Sequence, residues 1–202
     1  SLKPYAPTPR SQGSQGSCTA WATAFGARTI SYAIKNGWKN DTQKINANAF
    51  SPAFVYNKIK RKYTDCTDGT FIGDAMKLLK ETGVSKMSDF PYQVSNCQKQ
   101  PSDFIKQKAT SFKIQSFERL TTYPYSNNIV EKVKKALINK NPVVIGMFDY
   151  GTIYGPGELY QRPANIKKGG GHAMLVVGYD DNKYGGSFEI MNSYGTKFRN
   201  NG

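Results

Sequence analysis

The sequence QGSQGSCTAWA, residues 12–22, joins a glycine-rich turn to an alanine-rich helical pattern, with a cysteine at the junction. A thiol at the start of a helix meets unpaired backbone N–H groups and the positive end of the helix dipole, and both favour the thiolate. Gly13 and Gly16 allow the chain to turn tightly just before it. Cys18 is therefore a candidate nucleophile, although a lone cysteine is more often a small buried hydrophobe.

Two downstream segments supply candidate partners for this thiol. The sequence GGGHAMLVVGY, residues 169–179, places the single histidine, His172, at the start of an apolar, strand-like run. The sequence FEIMNSYG, residues 188–195, ends a second strand-like run at Asn192. Taken alone, a histidine in such a position is more often a structural residue than a catalytic one. An asparagine at the end of a strand, taken alone, is simply a turn residue. The presence of both residues downstream, together with Gln12 six positions upstream, favours Cys18 as a nucleophile over a lone buried cysteine.

Helical patterns dominate the first half of the chain. An alanine-rich pattern from Ser17 to Asn36 is closed by Gly37. Ser51-Pro52 is typical of an N-cap followed by the first helical position. A third helix, closed by Gly83, is predicted by apolar residues at helical spacing: Ile72, Ala75, Met76 and Leu79.

Strand-like patterns dominate the second half. Residues Ser111–Leu120 alternate in part, and a helix is predicted to begin at Asn128. Three β-rich runs follow: Pro142–Phe148, Ala173–Tyr179 and Ser187–Asn192. The segment Tyr150–Gly171 reads as a long loop rich in glycine and proline. A helical half followed by a strand-rich half predicts an α+β fold with two lobes.

Composition excludes several classes of function. The formal net charge is +14, but the basic residues are scattered and no nucleic-acid motif accompanies them, so we expect no nucleic-acid partner. No apolar run is long enough to span a bilayer, so we expect no membrane partner. Three cysteines and one histidine, without metal-ligand spacing, predict neither a metal site nor a cofactor. If Cys18 is a free thiol, Cys66 and Cys97 remain as one possible disulfide, which would favour an oxidising compartment.

The three segments, in this order, resemble the papain family of cysteine peptidases. Further landmarks agree along nearly the whole chain: Ser51-Pro52, CTDG at 66–69, FPY at 90–92 and Pro142-Val143. The resemblance implies one papain-like domain over residues 1–202. It implies a mainly helical lobe at 14–107 and a mainly β, antiparallel barrel-like lobe from 1–13 and 108–202, with the active-site cleft between them. The C-terminal strand that the family carries beyond this point is expected to be missing.

The resemblance also implies roles for four residues. Cys18 would be the nucleophile and His172 its acid-base partner. Asn192 would orient the imidazole. Gln12, together with the backbone N–H of Cys18, would donate hydrogen bonds to the oxyanion of the tetrahedral intermediate.

Substrate-binding roles follow from the same resemblance. Gly69 corresponds to the glycine whose backbone pairs with an extended substrate. Phe71, Gly146 and Ala173 would line the pocket for the second substrate residue before the cut, although Phe71 could equally be a core contact. Tyr194 takes the place of a tryptophan that shields the contact between histidine and asparagine.

The sequence departs from the family at two positions near the nucleophile. Gln15 replaces a cysteine and Thr19 replaces a tryptophan, so the usual disulfide from this turn to Cys66 is impossible. The resemblance suggests that Cys66 pairs with Cys97 instead, and we expect packing alone to hold the turn. This pattern is more similar to microbial members of the family.

The function implied is hydrolysis of protein or peptide substrates by a monomeric, secreted or otherwise extracytoplasmic cysteine endopeptidase. An inhibitory propeptide outside this chain is a possible partner. Three alternatives stay open: an aminopeptidase, a transpeptidase that passes the acyl group to an amine, and a catalytically silent homologue used for binding. The loop Tyr150–Gly171 is the candidate to block the cleft in an exopeptidase.

Overall fold

The computed structural model describes residues 1–61, 66–121, 128–149, 153, 157–161, 164 and 169–202. Residues 18–35 form one continuous helix, here called the central helix. It consists of α1 (Cys18–Ala20), a π-helix (Trp21–Arg28) and α2 (Thr29–Lys35). The helix predicted between Ser17 and Asn36 is confirmed, but its π-helical middle was not predicted. Glycine follows its end, as expected, because Gly37 adopts a φ of 69° that other residues rarely adopt.

The other helices are α3 (Thr42–Ala47), α4 (Pro52–Ile59), α5 (Ile72–Glu81), α6 (Asp103–Ala109) and α7 (Ile129–Ile138). The predicted start of α4 is confirmed, because the Ser51 side chain accepts a hydrogen bond from the Phe54 N–H at 3.1 Å. The predicted helices α5 and α7 are also confirmed. The short helices α3 and α6 were not predicted.

Two regions differ from the prediction. The strand expected in Ser111–Leu120 is wrong: this segment begins in a 3-10 helix (Thr110–Phe112) and continues without regular structure. The Ile114 N–H donates to the carbonyl of Leu79 in α5 and not to a neighbouring strand. The predicted loop Tyr150–Gly171 ends earlier than expected, because Gly170 already belongs to a strand, and most of the loop lies outside the described residues.

The three predicted β-runs form one antiparallel sheet. Its strands are β1 (Val143–Asp149), β2 (Gly170–Asp180) and β3 (Ser187–Met191), in the order β1-β2-β3. In the register, Met147 lies opposite His172 and Gly146 opposite Ala173. The sheet therefore brings the start of β2, with His172, beside the second half of β1.

The central helix contributes to two hydrophobic cores. On one side Trp21, Phe25 and Ile30 pack with buried residues of the sheet and of α7. On the other side Ala20 and Ala24 pack with buried residues of α4 and α5. Between the two cores, a small cluster of Cys18, Ala22 and Ala173 is flanked by Ile72 and Val144. The start of the helix thus lies where the helical part meets the sheet.

A buried cation lies in the helical part of the fold. The Lys86 Nζ is 3.7, 4.1 and 4.8 Å from the ring centroids of Tyr32, Phe50 and Phe112, and it donates to the Asn48 carbonyl at 2.9 Å. Burial lowers the pKa of Lys86 to about 7, and the positive charge of Arg28 acts in the same direction. The folded state therefore binds fewer protons at this position than the unfolded chain.

We predict that Lys86 makes the stability depend on pH above neutrality. Between pH 7 and about 10.4, the unfolded chain holds a proton on Lys86 that the folded protein releases. The free energy of unfolding should rise with pH in this window, by at most about 1.4 kcal/mol per pH unit. Urea unfolding of the natural protein and of Lys86→Met at pH 7 and pH 9 measures the difference. Parallel pH dependence in the two proteins would contradict the assignment.

Candidate active site

Cys18 occupies the first position of the central helix. It is buried, with 8% of its surface exposed, and it is the one free cysteine among the described residues. Its side chain interacts with that of His172 and with the backbone at Ala173 and Thr19, and these interactions act to lower the pKa of the thiol. The helix start and the start of β2 together form this environment.

His172 lies between the thiol and an amide. Its Nε2 is 2.9 Å from the Asn192 Oδ1, which also accepts a hydrogen bond from the Ser193 N–H at 2.8 Å. Because Oδ1 can only accept, Nε2 carries the proton and Nδ1 remains for Cys18. The expected order of Cys18, His172 and Asn192 is therefore present as a continuous chain of contacts.

The pKa values of the thiol and the imidazole are shifted in opposite directions. Burial acts to raise the pKa of Cys18, but the hydrogen bond to His172, the backbone hydrogen bonds and the charge of His172 outweigh it and lower the pKa. Burial acts to lower the pKa of His172, but its hydrogen bonds to Cys18 and Asn192, with the charges of Cys18 and Asp149, raise it. Both shifts favour a thiolate-imidazolium pair over a neutral pair.

Tyr194 covers one face of the imidazole. Its ring stacks on that of His172 with a centroid distance of 5.1 Å and an interplanar angle of 11°. Phe198 packs edge-on against Tyr194 at 5.0 Å. The aromatic ring predicted to shield the histidine is thus in contact with it, and an apolar cover strengthens the hydrogen bond beneath.

Ser193 holds the side chain of Gln12. The Ser193 hydroxyl donates to the Gln12 Oε1 at 2.5 Å, and the Gln12 backbone N–H donates to the Ser193 carbonyl at 2.8 Å. The Gln12 Nε2 donates one hydrogen to the Gln15 carbonyl at 2.9 Å. An amide nitrogen has two hydrogens, and among the described residues only this one bond of the Gln12 Nε2 is found. The role of Ser193 was missed, because nothing in a sequence pairs positions so far apart.

The turn at residues 12–17 is not held by packing alone; it is called the oxyanion turn after the role that the sequence predicts for Gln12. The Gln15 Nε2 donates to the carbonyls of Val94 and Gln93 at 3.0 and 3.3 Å. The Tyr92 hydroxyl donates to the Gln12 carbonyl at 2.7 Å and lies 2.7 Å from the Ser17 hydroxyl. The expectation is corrected, because the glutamine at the place of the family's cysteine uses its amide as a substitute.

Cys66 and Cys97 are bonded to each other in the structure. The Gly16 N–H donates to the Cys66 carbonyl at 2.8 Å. A Cβ on Gly16 would lie 2.3 Å from the Thr67 carbonyl oxygen, so only glycine allows this approach. The disulfide therefore lies directly beside the oxyanion turn.

The segment around Gly69 is fixed by two side chains. The Thr19 hydroxyl donates to the Thr70 carbonyl at 2.8 Å, and the Tyr56 hydroxyl donates to the Asp68 carbonyl at 2.8 Å. Thr19, which stands where the family has tryptophan, thus connects the helix start to this segment. Gly69 itself is exposed, and a side chain there would meet no atom within 4 Å. Its backbone edge is accessible.

The predicted pocket residues divide into two groups. Ala173 packs beside Cys18, and a Cβ on Gly146 would lie 3.4 Å from the Ile72 Cδ1, so Ile72 reaches across to β1. Phe71 is 56% exposed, and its ring contacts the guanidinium of Arg61 at 4.5 Å. The apolar spacing of α5 predicted Ile72 only as a core residue, and in the structure it also packs against the cluster of Cys18, Ala22 and Ala173.

Asp149 is the charged residue of β1 nearest in register to the histidine. It pairs with Gly170, and residues two apart on a strand share a face, so Asp149 and His172 lie on the same face of the sheet. Its negative charge contributes to the raised pKa of His172.

Among the described residues, no cluster of histidine, cysteine and acidic side chains could hold a metal ion. No helix in the same part of the chain is long and apolar enough to cross a membrane.

We predict that Cys18 is alkylated at lower pH than an ordinary thiol, because its interactions with His172 lower the pKa of the thiol. In His172→Gln the pH profile of the rate with iodoacetamide should move toward that of an ordinary thiol with a pKa of about 8.5, so the rate at pH 6 should fall. Rate profiles from pH 4 to 9 measure the effect, with circular dichroism as the control for folding. Coinciding profiles would mean that His172 does not set the thiol pKa.

We predict that Asp149→Asn lowers the pKa of His172 by removing a nearby negative charge. His172 is the single histidine of the chain, so its imidazole signal in a proton NMR titration needs no assignment. Asp180→Asn, at the far end of β2, is the matched control. Equal shifts in the two variants would indicate a general charge effect.

Comparison with known proteins agrees with this geometry. A family model described as papain family cysteine protease matches residues 5–202. An uncharacterized peptidase C1-like protein of Acanthamoeba polyphaga mimivirus is 26% identical over 202 residues. The alignment covers 95% of this chain and 61% of the viral protein, so the chain spans less than two thirds of that relative's length.

Solved structures of similar proteins have the same fold. Xylellain, a cysteine protease from Xylella fastidiosa, has a TM-score of 0.77 and 26% identity, over 96% of this chain and 73% of its own. A digestive procathepsin L from Tenebrio molitor larval midgut has a TM-score of 0.74 and 19% identity, over 99% and 60%. The bromelain protease of Ananas comosus has a TM-score of 0.68 and 17% identity, over 96% and 81%. The α+β papain-like fold expected from the sequence is confirmed. Since the family model spans nearly all of its residues, the chain belongs to the papain family of cysteine proteases.

Proposed function

We propose that this chain is a cysteine peptidase that hydrolyses peptide bonds through an acyl-enzyme. One observation carries the proposal: the buried Cys18 thiol packs against Ala173, next to His172, whose Nε2 lies 2.9 Å from the Asn192 Oδ1. The lowered pKa of the thiol and the raised pKa of the imidazole support a thiolate nucleophile beside a proton donor.

In the first half-reaction, the Cys18 sulfur attacks the carbonyl carbon of the scissile peptide bond. A tetrahedral oxyanion forms, and the second N–H of the Gln12 amide, together with the Cys18 backbone N–H, stabilises it. His172 then gives its proton to the nitrogen of the leaving amine. The C–N bond breaks, the amine leaves, and a thioester remains on Cys18.

In the second half-reaction, neutral His172 takes a proton from water as that water attacks the thioester. The same donors stabilise the second oxyanion. The C–S bond breaks, the acid product leaves, and the thiolate-imidazolium pair is restored. Asn192 keeps the ring oriented throughout, because its Oδ1 accepts from Nε2 and leaves Nδ1 facing the sulfur.

The substrate would bind as an extended strand along the exposed backbone at Gly69. The side chain of its second residue before the cut would enter the space between Ile72, Gly146 and Ala173. These walls are apolar, and glycine in one wall leaves room for a branched or aromatic side chain. Phe71, held by Arg61, would form the outer rim of this pocket.

The cellular setting forms part of the proposal. A disulfide persists in oxidising compartments, so the bond between Cys66 and Cys97 supports a secreted or extracytoplasmic enzyme. One structural neighbour is by name a proenzyme, which supports an inhibitory propeptide as a partner. We propose that the enzyme acts as a monomer on protein or peptide substrates.

We predict that Cys18→Ala and His172→Ala each lower kcat for a fluorogenic peptide by at least about 1,000-fold, because each removes a reacting group. Lys35→Ala, at the exposed end of α2, is the matched control and should retain full activity. A peptidyl epoxide should label Cys18 at one equivalent, as measured by mass spectrometry. A folded protein that neither reacts with the epoxide nor cleaves peptides would refute the proposal and leave the silent binding homologue.

The same assay separates the kinds of peptidase. Substrates with blocked and free N-termini should be cleaved alike by an endopeptidase, which is the proposed activity. Cleavage of free N-termini alone would indicate an aminopeptidase. Transfer of the acyl group to an added amine in place of water would indicate a transpeptidase.

A further inference from the structure

Two segments of the chain accept hydrogen bonds from the oxyanion turn. The Gly16 N–H donates to the Cys66 carbonyl at 2.8 Å. The Gln15 amide donates to the carbonyls of Val94 and Gln93 at 3.0 and 3.3 Å. The disulfide between Cys66 and Cys97 joins these two segments to each other.

The segment that receives the Gln15 amide has few other supports. Residues 93–96 are exposed and form neither helix nor strand. Their buried or half-buried neighbours are Tyr92 at one end and Cys97, which is fully buried, at the other. The segment has one internal backbone hydrogen bond, from the Asn96 N–H to the Gln93 carbonyl at 3.2 Å, so its position depends largely on its anchored ends.

The contacts of the turn continue to the oxyanion donor. The Gln15 carbonyl accepts a hydrogen bond from the Gln12 Nε2 at 2.9 Å, so a shift of Gln15 moves the acceptor that orients this amide. Cys18 and His172 are held separately, by the central helix and by β2. The Gln12 amide therefore depends on Gln15 as well as on Ser193, whereas no hydrogen bond among the described residues joins the thiol or the imidazole to Gln15.

We propose that the Cys66–Cys97 disulfide, acting through Gln15 and Gly16, positions the oxyanion turn, so that its reduction slows peptide hydrolysis without disarming the Cys18 thiolate. Gln15 and the two bonded cysteines are positioning residues, because they act through Gln12. The inference rests on the proposed peptidase function.

The reduction is an ordinary thiol-disulfide exchange. The thiolate of an external dithiol attacks the sulfur of the half-buried Cys66, the S–S bond breaks, and the Cys97 sulfur leaves as a thiolate that takes up a proton. The second thiol of the reagent then closes on the first and releases Cys66. The protein gains two electrons and two protons, and the dithiol becomes a cyclic disulfide.

The proposal sets two opposite requirements on the cysteines. Cys18 has to be reduced to act as a nucleophile, whereas Cys66 and Cys97 have to be oxidised to hold the turn. Activity should therefore rise and then fall as a dithiol reductant is increased. The falling phase should match the appearance of two further free thiols in the protein.

The double variant Cys66→Ala/Cys97→Ala tests the proposal. We expect kcat for a peptide substrate to fall about tenfold or more. This loss is smaller than the loss of about 100-fold or more that follows complete removal of one oxyanion donor, because the Gln12 amide is displaced and not removed. We expect KM and the rate of Cys18 alkylation by iodoacetamide at pH 6 to stay within about twofold, because alkylation forms no oxyanion. A parallel loss of kcat and alkylation would mean partial unfolding and would overturn the proposal. Unchanged kcat would overturn it as well.

Gln15→Met tests the same connection with the disulfide intact. Methionine keeps the volume and removes the amide, and it also removes the Gln15 Oε1, which is buried without a partner among the described residues. Folding should therefore be little affected while kcat falls with alkylation unchanged. Gln100→Met is the matched control, because the Gln100 amide donates to the Asn57 carbonyl at 3.0 Å, in a different part of the chain.

The two proposals fail in different ways. A natural protein without peptidase activity at any reductant concentration contradicts the proposed function. An active natural protein whose rate stays level while the thiol count rises from one to three contradicts this inference alone. In the double variant, activity should rise with reductant to a plateau and show no falling phase.

Discussion

The structure depends on a helix that is buried around its whole circumference from Cys18 to Ala27. Two cores form against it, and both need its position to be fixed. Small residues such as Ala20, Ala24 and Gly26 allow both cores to pack closely against the helix. At Gly26 the Leu175 side chain approaches so closely that a Cβ on this residue would lie 2.7 Å from it. Because the helix cannot move relative to either core, its first residue lies at a fixed place between them. The position of the thiol is thus a result of core packing.

The sequence predicted the elements that local patterns encode, and it predicted less of what long-range contacts decide. Apolar spacing and N-cap residues located α4 and α5, and strand-like runs located the sheet. The alternation in Ser111–Leu120 predicted a strand that the structure does not contain. A strand needs a neighbouring strand to pair with, and the Ile114 N–H donates to a carbonyl of α5 instead. The resemblance identified Cys18, His172, Asn192 and Gln12 together. It did not identify Ser193, whose hydroxyl fixes the Gln12 amide from the other end of the chain.

At the oxyanion turn, hydrogen bonds stabilise a segment for which the family resemblance implied a disulfide. Gln15 reaches two carbonyls where a cysteine would reach one sulfur, and Tyr92 adds a hydroxyl bonded to both ends of the turn. Each neutral bond contributes about 1 kcal/mol, less than the 2 to 4 kcal/mol of a typical disulfide, so several are needed together. The disulfide between Cys66 and Cys97 joins the segments that receive these bonds.

The π-helical segment Trp21–Arg28 limits how the length of this chain can vary. In an α-helix, successive residues are rotated by about 100° around the axis, so one residue inserted or removed turns everything beyond it by that angle. A wider turn absorbs such a residue and returns the helix to its former phase. The helix places Cys18 in the small cluster with Ala173 while Ile30 lies in its own core. Within the π-helical segment the gain or loss of one residue can be absorbed by the wide turn, whereas the same change elsewhere between Cys18 and Ile30 would rotate the two residues relative to each other.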